Sequence, residues 1–297
     1  MNPPPAPEAV EQFDKAQVRR AFERAAATYD AAAVLQHEVC RRMQERLDLI
    51  KHQPALVLDA GSGTGNALPA LRARYPKARV IALDLAPGML QQGRKHAAQP
   101  WWKKSILKQI LNEVCGDIEN LPLANGSIDL IWSNLALQWM NDPLRAFAEF
   151  HRVLKPGGLL MFSTFGPDTL KELRAAFSEV DNHTHVSRFV DLHDIGDLLV
   201  QCRYADPVMD MEPFTLTYSD VRTLMRDLKA IGAHNATHAR PTGLTSRARL
   251  AAVTAAYEPL RRDAKLPATF EVVYGHAWKP LPRVTASGKK IIEIKPG

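Results

Sequence analysis

Leu56-Val-Leu-Asp-Ala-Gly-Ser-Gly-Thr-Gly65 decides the fold. With Ala55 before it, its first half is a short, almost wholly apolar run, as in strands buried on both faces of a parallel sheet. Its second half sets three glycines at alternate positions, where the chain must leave the strand, turn sharply and enter a helix. Glycine permits that turn and lets backbone approach a ligand closely. The G-x-G-x-G spacing differs from the G-x-G-x-x-G of dinucleotide binders, which offers a helix N-terminus to a phosphate. Asp59, directly before the glycines, suits instead a ligand that carries a cation.

Working outward, Arg79-Val-Ile-Ala-Leu-Asp84, Ile128-Asp-Leu-Ile-Trp-Ser133 and Gly158-Leu-Leu-Met-Phe-Ser-Thr164 repeat the apolar strand. Helical segments are predicted between them at 67–74, 88–96 and 144–154. Strands alternating with helices imply an α/β fold with a doubly wound, mostly parallel sheet. Asp84 ends the second of these strands, 19 residues after Gly65. An acidic residue at that spacing can accept both hydroxyls of a ribose. Asp117 and Ile118, in Cys115-Gly-Asp-Ile-Glu-Asn-Leu-Pro122, fall where a third strand should end. That carboxylate can accept from an exocyclic amino group while Ile118 covers the ring.

Residues 1–12 read as a Pro/Ala-rich disordered tail, without the basic and apolar succession of a signal peptide. Residues 13–50 carry two helical patterns and are expected to form an N-terminal helical lid. Phe13, Val18, Phe22 and Tyr29 lie close to one face of the first pattern, and the second helix is predicted from about 32 to 50. The α/β core is expected over 51–176, its last helix at 168–176. A substrate-side elaboration with the final strands should follow over 177–280, with helices near 191–202, 219–231 and 245–262 and a late strand at 270–276 that closes the sheet antiparallel. Residues 281–297 read as a polar tail. Between 98 and 113, Trp101 and Trp102 stand beside Lys103, Lys104 and Lys108; an inserted amphipathic helix is expected there, with a partner or membrane-surface patch as the alternative.

The chain has 297 residues, 46% hydrophobic and 24% charged, within the ordinary globular range. No apolar run reaches the ~18–20 residues that span a bilayer. Cys40, Cys115 and Cys202 are isolated, so neither a metal site nor a disulfide framework is expected, and the pattern suits a reducing cytoplasm. A net charge of +6 favours an acidic partner but is too small to imply nucleic acid.

Taken in order, the segment from Asp59 to Gly65, Asp84, Asp117-Ile118, Ser133-Asn-Leu135 and Leu154-Lys-Pro-Gly-Gly158 resemble the successive motifs of class I S-adenosylmethionine-dependent methyltransferases. The resemblance covers about residues 13–165. It implies a seven-stranded, Rossmann-like sheet and S-adenosylmethionine as cofactor, a ligand with an ammonium and a sulfonium but no phosphate. By that resemblance Asp59, Gly61, Gly63 and Gly65 hold the methionine end and Asp84 the ribose. Leu85 and Met89 flank the adenine, Asp117 and Ile118 read it, and Asn134 faces the sulfonium. Tyr29 resembles the catalytic aromatic on the lid of small-molecule methyltransferases.

The substrate half is similar to the BioC family, the malonyl-acyl carrier protein O-methyltransferases of biotin synthesis. The resembling stretches include Phe22 to Asp30, Ser133 to Trp139, Phe165-Gly-Pro-Asp-Thr-Leu170, Phe189 to Leu198, Leu228-Lys-Ala-Ile-Gly-Ala-His-Asn235 and Tyr274 to Trp278. The segment at 98–113 and the basic, proline-rich termini depart from that pattern. The resemblance implies methyl esterification of the free carboxyl of a malonyl thioester on acyl carrier protein or coenzyme A. The chemistry agrees: a carboxylic acid that titrates near its ordinary ~4.3 is already ionised at neutral pH and needs no general base. A cation or donor should hold its second oxygen, and Lys229, His234, His238 and Arg240 are the candidates. Residues 240–265 hold six basic against two acidic side chains. Arg247, Arg249, Arg261 and Arg262 among them could steer an acidic carrier protein. Two alternatives stay open: another small-molecule methyltransferase, acting on a different carboxylate or a quinone-precursor carbon, and an assembly factor or hydroxylase on the same fold.

Overall fold

The computed structural model describes residues 12–97, 112–181, 183–233 and 246–282. The expected insertion, with Trp101 and Trp102, lies almost wholly outside these residues, as do most of both tails. Three helices come first: α1 (Lys15–Ala25), α2 (Tyr29–Ala32) and α3 (Val34–Leu47). Asp14 caps α1, its side chain accepting from Gln17 N at 3.1 Å. The second predicted helix is broken near its start. Ala33 leaves helical geometry at ψ 38° and separates α2 from α3.

The core then alternates β1 (Leu56–Ala60), α4 (Leu68–Arg74), β2 (Arg79–Asp84), α5 (Pro87–Ala97), β3 (Asn112–Cys115), β4 (Ile128–Asn134), α6 (Pro143–Val153) and β5 (Leu154–Phe165). A helix α7 (Lys171–Ser178) follows, then α8 (Leu192–Gln201), β6 (Ala205–Tyr218), α9 (Val221–Ala230), α10 (Arg247–Tyr257) and β7 (Leu266–Trp278). The seven strands form one sheet in the order β3-β2-β1-β4-β5-β7-β6. All neighbours are parallel except β7, which runs antiparallel to both β5 and β6. This is the doubly wound sheet the strand–helix alternation predicts.

Two boundaries and one strand depart most from expectation. The strand predicted from Gly158 begins at Leu154, because Leu154 already pairs with Ile128 across an irregularity in register. The helix predicted at 168–176 starts only at Lys171. Leu170 precedes it in the left-handed region (φ 55°), and the Phe165–Leu170 stretch before it is a tie rather than a turn of helix. There Gly166 N donates to Glu271 O at 2.9 Å, Asp168 N to Glu271 Oε2 at 2.7 Å and Thr169 Oγ1 to Glu271 O at 3.1 Å, fastening β5 to β7. Finally, strands are expected within 177–280, but only the one at 270–276 is placed and β6 is not located. Its Pro207 and Pro213 argue against a central strand, but β6 is the sheet edge, where a missing N–H costs no ladder bond.

Apolar layers cover both faces of the sheet. Leu35, Val39, Met43 and Leu47 of α3 pack with Trp132, Met161 and Tyr274 on one side. Phe147 and Phe150 of α6 pack with Ile131, Phe162 and Val273 on the other. Both phenylalanines are essentially inaccessible, so truncating either to alanine should cost about 3–5 kcal/mol. This double cover holds the carboxyl ends of β1, β2 and β4 rigidly side by side, where a doubly wound sheet binds its ligands.

Candidate functional site

The glycine loop is pinned by β2. Gly61 N and Ser62 N both donate to Leu83 O, at 2.8 and 2.9 Å, and Gly63 N donates to Asp84 Oδ2 at 2.9 Å. Gly61 has φ 77°, and a Cβ there would stand 2.3 Å from that of Ala136, so only glycine fits. The other oxygen of Asp84 accepts from Ala86 N at 2.8 Å. Asp84 therefore shapes the loop as well as offering its remaining lone pairs to a ligand, a double duty that spacing did not reveal.

Two carboxyls, Asp59 buried and Asp84 half-buried, define the electrostatics. Asp59 is 2% exposed and its Oδ2 has no hydrogen-bond partner among the described residues. Burial, and then the neighbouring Asp84 charge, push its pKa up to about 8. Burial pushes Asp84 up to about 6, against the backbone N–H groups that favour its charge. Paired acids of this kind repel phosphate and favour an ammonium and hydroxyl donors. S-adenosylmethionine carries those groups at its methionine end and its ribose, so the residues present fit it.

The cleft in front of the loop is apolar along one side, from Leu85, Met89 and Ile118, and polar at its ends. Gly61, Gly63, Asp84, Asp117 and Asn134 line it too. Gly65 closes the loop behind, with φ 83°. Asp117 is held by Lys15 of α1, Nζ to Oδ1 at 3.1 Å, and Lys15 also pairs with Glu119. Asn134 Nδ2 donates to Gln36 O at 3.1 Å and its Oδ1 accepts from Ser163 Oγ at 2.9 Å, which fixes its orientation. Leu135, next in the chain, is turned to φ 48°, an uncommon backbone state placed at the cleft wall. Tyr29 of α2 lines the cleft from the lid. Burial, then the charges of Asp84 and Asp30, hold its phenol above the usual range. It stays neutral there, and its side chain forms part of the cleft wall.

Beyond the cleft stands Trp139, in a short 3-10 turn (Leu137–Trp139) after β4. Phe22 of α1 meets its ring edge-on at 5.3 Å, and Phe13 lies at 5.6 Å. Trp139 lines both the cleft and a second, mostly apolar cavity of about 230 Å³. Phe165, Leu170, Phe177, Phe189 and Met225 contribute to its walls, and Gln138, Thr169, His185 and Ser187 are its polar side chains. Among the described lining residues there is no lysine or arginine. The sequence did not single out Trp139, Gln138 or His185. They converge from the turn after β4 and the segment after α7, a juxtaposition only the fold makes.

Of the predicted acceptor-binding residues, only Lys229 is among the described ones. Lys229 is exposed on α9 and lines an outer depression beside Arg24 and Thr28, because the helix turns Leu228 rather than Lys229 toward the cavity. His234, His238 and Arg240 lie outside the described residues. Of the predicted basic face, Arg247 and Arg262 are exposed. Arg249 Nε is 3.3 Å from Asp181 Oδ2. Arg261 pairs with Glu258 and donates to Ser219 O and Ala264 O. Among the described residues no cluster of three or more His, Cys, Asp or Glu could hold a metal, and no helix is long and apolar enough to cross a membrane.

Comparison with known proteins follows the same lines. Residues 58–162 match the methyltransferase domain family. The chain is 59% identical over 281 residues to the malonyl-[acyl-carrier protein] O-methyltransferase of Gallionella capsiferriformans, covering 95% of this chain and 96% of the relative. It is 57% identical over 286 residues to the protein of the same name from Laribacter hongkongensis, covering 95% and 96%. Among solved structures, the [4+2]-cyclase SpnF matches with a TM-score of 0.56 at 19% identity, covering 92% of this chain and 98% of that one. A Haemonchus contortus phosphoethanolamine N-methyltransferase 2, solved with phosphomonomethylethanolamine and S-adenosylhomocysteine, matches with a TM-score of 0.53 at 15% identity, covering 89% and 60%. At those identities the structural matches speak to fold alone.

Proposed function

This chain belongs to the malonyl-[acyl-carrier protein] O-methyltransferases, a family of S-adenosylmethionine-dependent enzymes, and we propose that it esterifies the free carboxyl of a malonyl thioester carried on acyl carrier protein, an early step of biotin formation. The observation that carries the substrate is the apolar cavity that meets the cofactor cleft at Trp139, where the basic side chain among the described walls, His185, is engaged by Asp181. S-adenosylmethionine, when bound, supplies an electrophilic methyl group. Every remaining requirement is positional.

Asp59 and the glycine loop receive the methionine end, Asp84 the ribose, and Asp117 with Ile118 the adenine. Asn134, fixed between Gln36 and Ser163, stands where the reacting groups meet. A malonate carboxylate is ionised at neutral pH and is its own nucleophile. The chain must hold one of its oxygens in line and keep water away, the work of orientation rather than proton transfer. Trp139, Phe13 and Phe22 form an aromatic cluster beside the junction, which would help to exclude water. Gln138 already donates one amide hydrogen to Leu135 O at 2.7 Å and has a second to offer the idle carboxylate oxygen. His234, His238 and Arg240 follow Ala233, which lines the cavity, and retain the role of partners to that oxygen. Tyr29 closes the lid side of the cleft. Arg247 and Arg262 leave exposed charge for an acidic carrier.

The test is acceptor discrimination. Malonyl thioesters should accept a methyl group and acetyl thioesters should not. Turnover of the carrier-bound malonyl group should fall with added salt, since exposed charges are screened over roughly 8–10 Å. Equal turnover of an acetyl thioester, or none with malonyl, would overturn the substrate.

A further inference from the structure

The acceptor cavity does not end at its far wall. Phe177, His185 and Val186 line both it and a neighbouring polar cavity of about 300 Å³. Between the two, the His185 imidazole lies flat on the Phe177 ring, centroids 3.9 Å apart and planes inclined by 12°. The far cavity is cationic where the near one is apolar. Arg174, Arg188 and His183 line it, with the hydroxyls of Ser178 and Thr184. Arg174 is aimed by two carbonyls, donating to Pro167 O and Thr169 O at 3.0 Å each. Asp181 is the acidic member, and it is already neutralised. It accepts from His185 at 2.8 Å and lies 3.3 Å from the Arg249 guanidinium.

We propose that this far cavity is a phosphate subsite, which holds the charged end of the arm that carries the acyl thioester. The proposal rests on the malonyl thioester function above and adds the site that reads its carrier. A phosphopantetheine arm has three successive chemistries. The acyl end must reach the cofactor, which places it at Trp139. The middle is a flexible chain of amides and a dimethyl branch, suited to an apolar passage with a few donors. The outer end is a phosphate ester. The cavities present these demands in the same order, from Trp139 through Phe165 and Phe177 to Arg174 and Arg188. Two guanidinium groups outweigh the C-terminal end of α7, which by itself disfavours an anion. The nearness of Arg249 through Asp181 joins this subsite to the basic face of α10, where a carrier protein would stand.

The experiment compares malonyl thioesters of pantetheine, phosphopantetheine, coenzyme A and acyl carrier protein, with the native chain and with an Arg188→Gln, His183→Gln double variant. The native chain should show a KM for malonyl phosphopantetheine about tenfold below that for malonyl pantetheine, the scale of one charge-assisted contact. The variant should bring the two within about twofold, on the same scale, while its kcat/KM for malonyl pantetheine stays native. That unchanged value also shows that the variant folds. A carrier-protein thioester that weakens with the variant identifies the carrier arm as the source of the phosphate; a coenzyme A thioester that alone weakens identifies coenzyme A. Either supports the subsite. Equal KM values in the native chain, or a phosphate preference that survives in the variant, would overturn it. Calorimetry with phosphopantetheine and pantetheine, both without an acyl group, separates the two claims. A phosphate-dependent gain in binding without malonyl methylation leaves the subsite standing and removes the function. Methylation of malonyl pantetheine with no gain from phosphate does the reverse.

Discussion

At the scale of single residues, Asp59 is under the greatest electrostatic tension. Its carboxyl is buried and unpartnered and titrates near about 8, whereas in an unfolded chain it would titrate near ~3.9. Between these values the unfolded chain ionises and the folded one keeps its proton. The folded state then binds more protons, so unliganded stability falls as pH rises from about 4 to about 8. One such group contributes a slope of at most roughly 1.4 kcal/mol per pH unit. Asp84, raised to about 6, adds to it with the same sign. Asp59→Asn cannot titrate. Its Tm should therefore decline less than that of the native chain between pH 5 and pH 8, while cofactor affinity drops at least about tenfold through loss of a charged acceptor. An identical pH profile of Tm would contradict the burial assigned to Asp59. That Gly61, Gly63, Asp84 and Asp117 meet at one cleft was legible, because their positions follow from local chain geometry and a fixed spacing after strands. Trp139, Gln138 and His185 were not, because nothing local distinguishes a cavity wall from ordinary core or surface.

At the scale of elements, the lid is fastened by more than its apolar face. Lys15 reaches Asp117 and Glu119, and Gly88 N donates to Glu23 at 2.9 Å. Thr28 Oγ1 donates to Ala230 O at 3.2 Å, and Asp30 accepts from Thr64 in the glycine loop. Both ends of the cleft are thus tied to α1 and α2, and we propose that these ties part when the cofactor exchanges. The Lys15 pairs are partly shielded, with side-chain exposures of 23% for Lys15 and 10% for Glu119, so the contact should sit near the upper end of the ~0–1 kcal/mol of surface pairs. Lys15→Gln should accelerate S-adenosylhomocysteine dissociation about fivefold at low salt, the kinetic equivalent of such a pair. Stopped-flow displacement measures it, and an unchanged rate would show that the Lys15 pairs do not hold α1 over the cleft. The strands β1, β2 and β4 were legible as apolar runs because both their faces are covered. The edge strand β6 hid behind two prolines and alternating acids, whose Asp210 and Glu212 are taken up by Arg46 of α3.

At the scale of the whole molecule, the strand order places the glycine loop at the switch between β1 and β4, and antiparallel β7 brings Glu271 to fasten the stretch that walls the acceptor cavity. The fold alone does not choose a reaction, since a similar sheet serves a [4+2]-cyclase. What chooses it here is the pairing of a cofactor cleft with a cavity that orients but does not deprotonate. The central claim is therefore the atom that receives the methyl group. Malonyl-acyl carrier protein, methylated with label in the transferred methyl group and then treated with mild alkali, should release that label as methanol, the mark of a carboxyl ester. Label retained in a non-volatile product would mean methylation at carbon, and it would contradict the account.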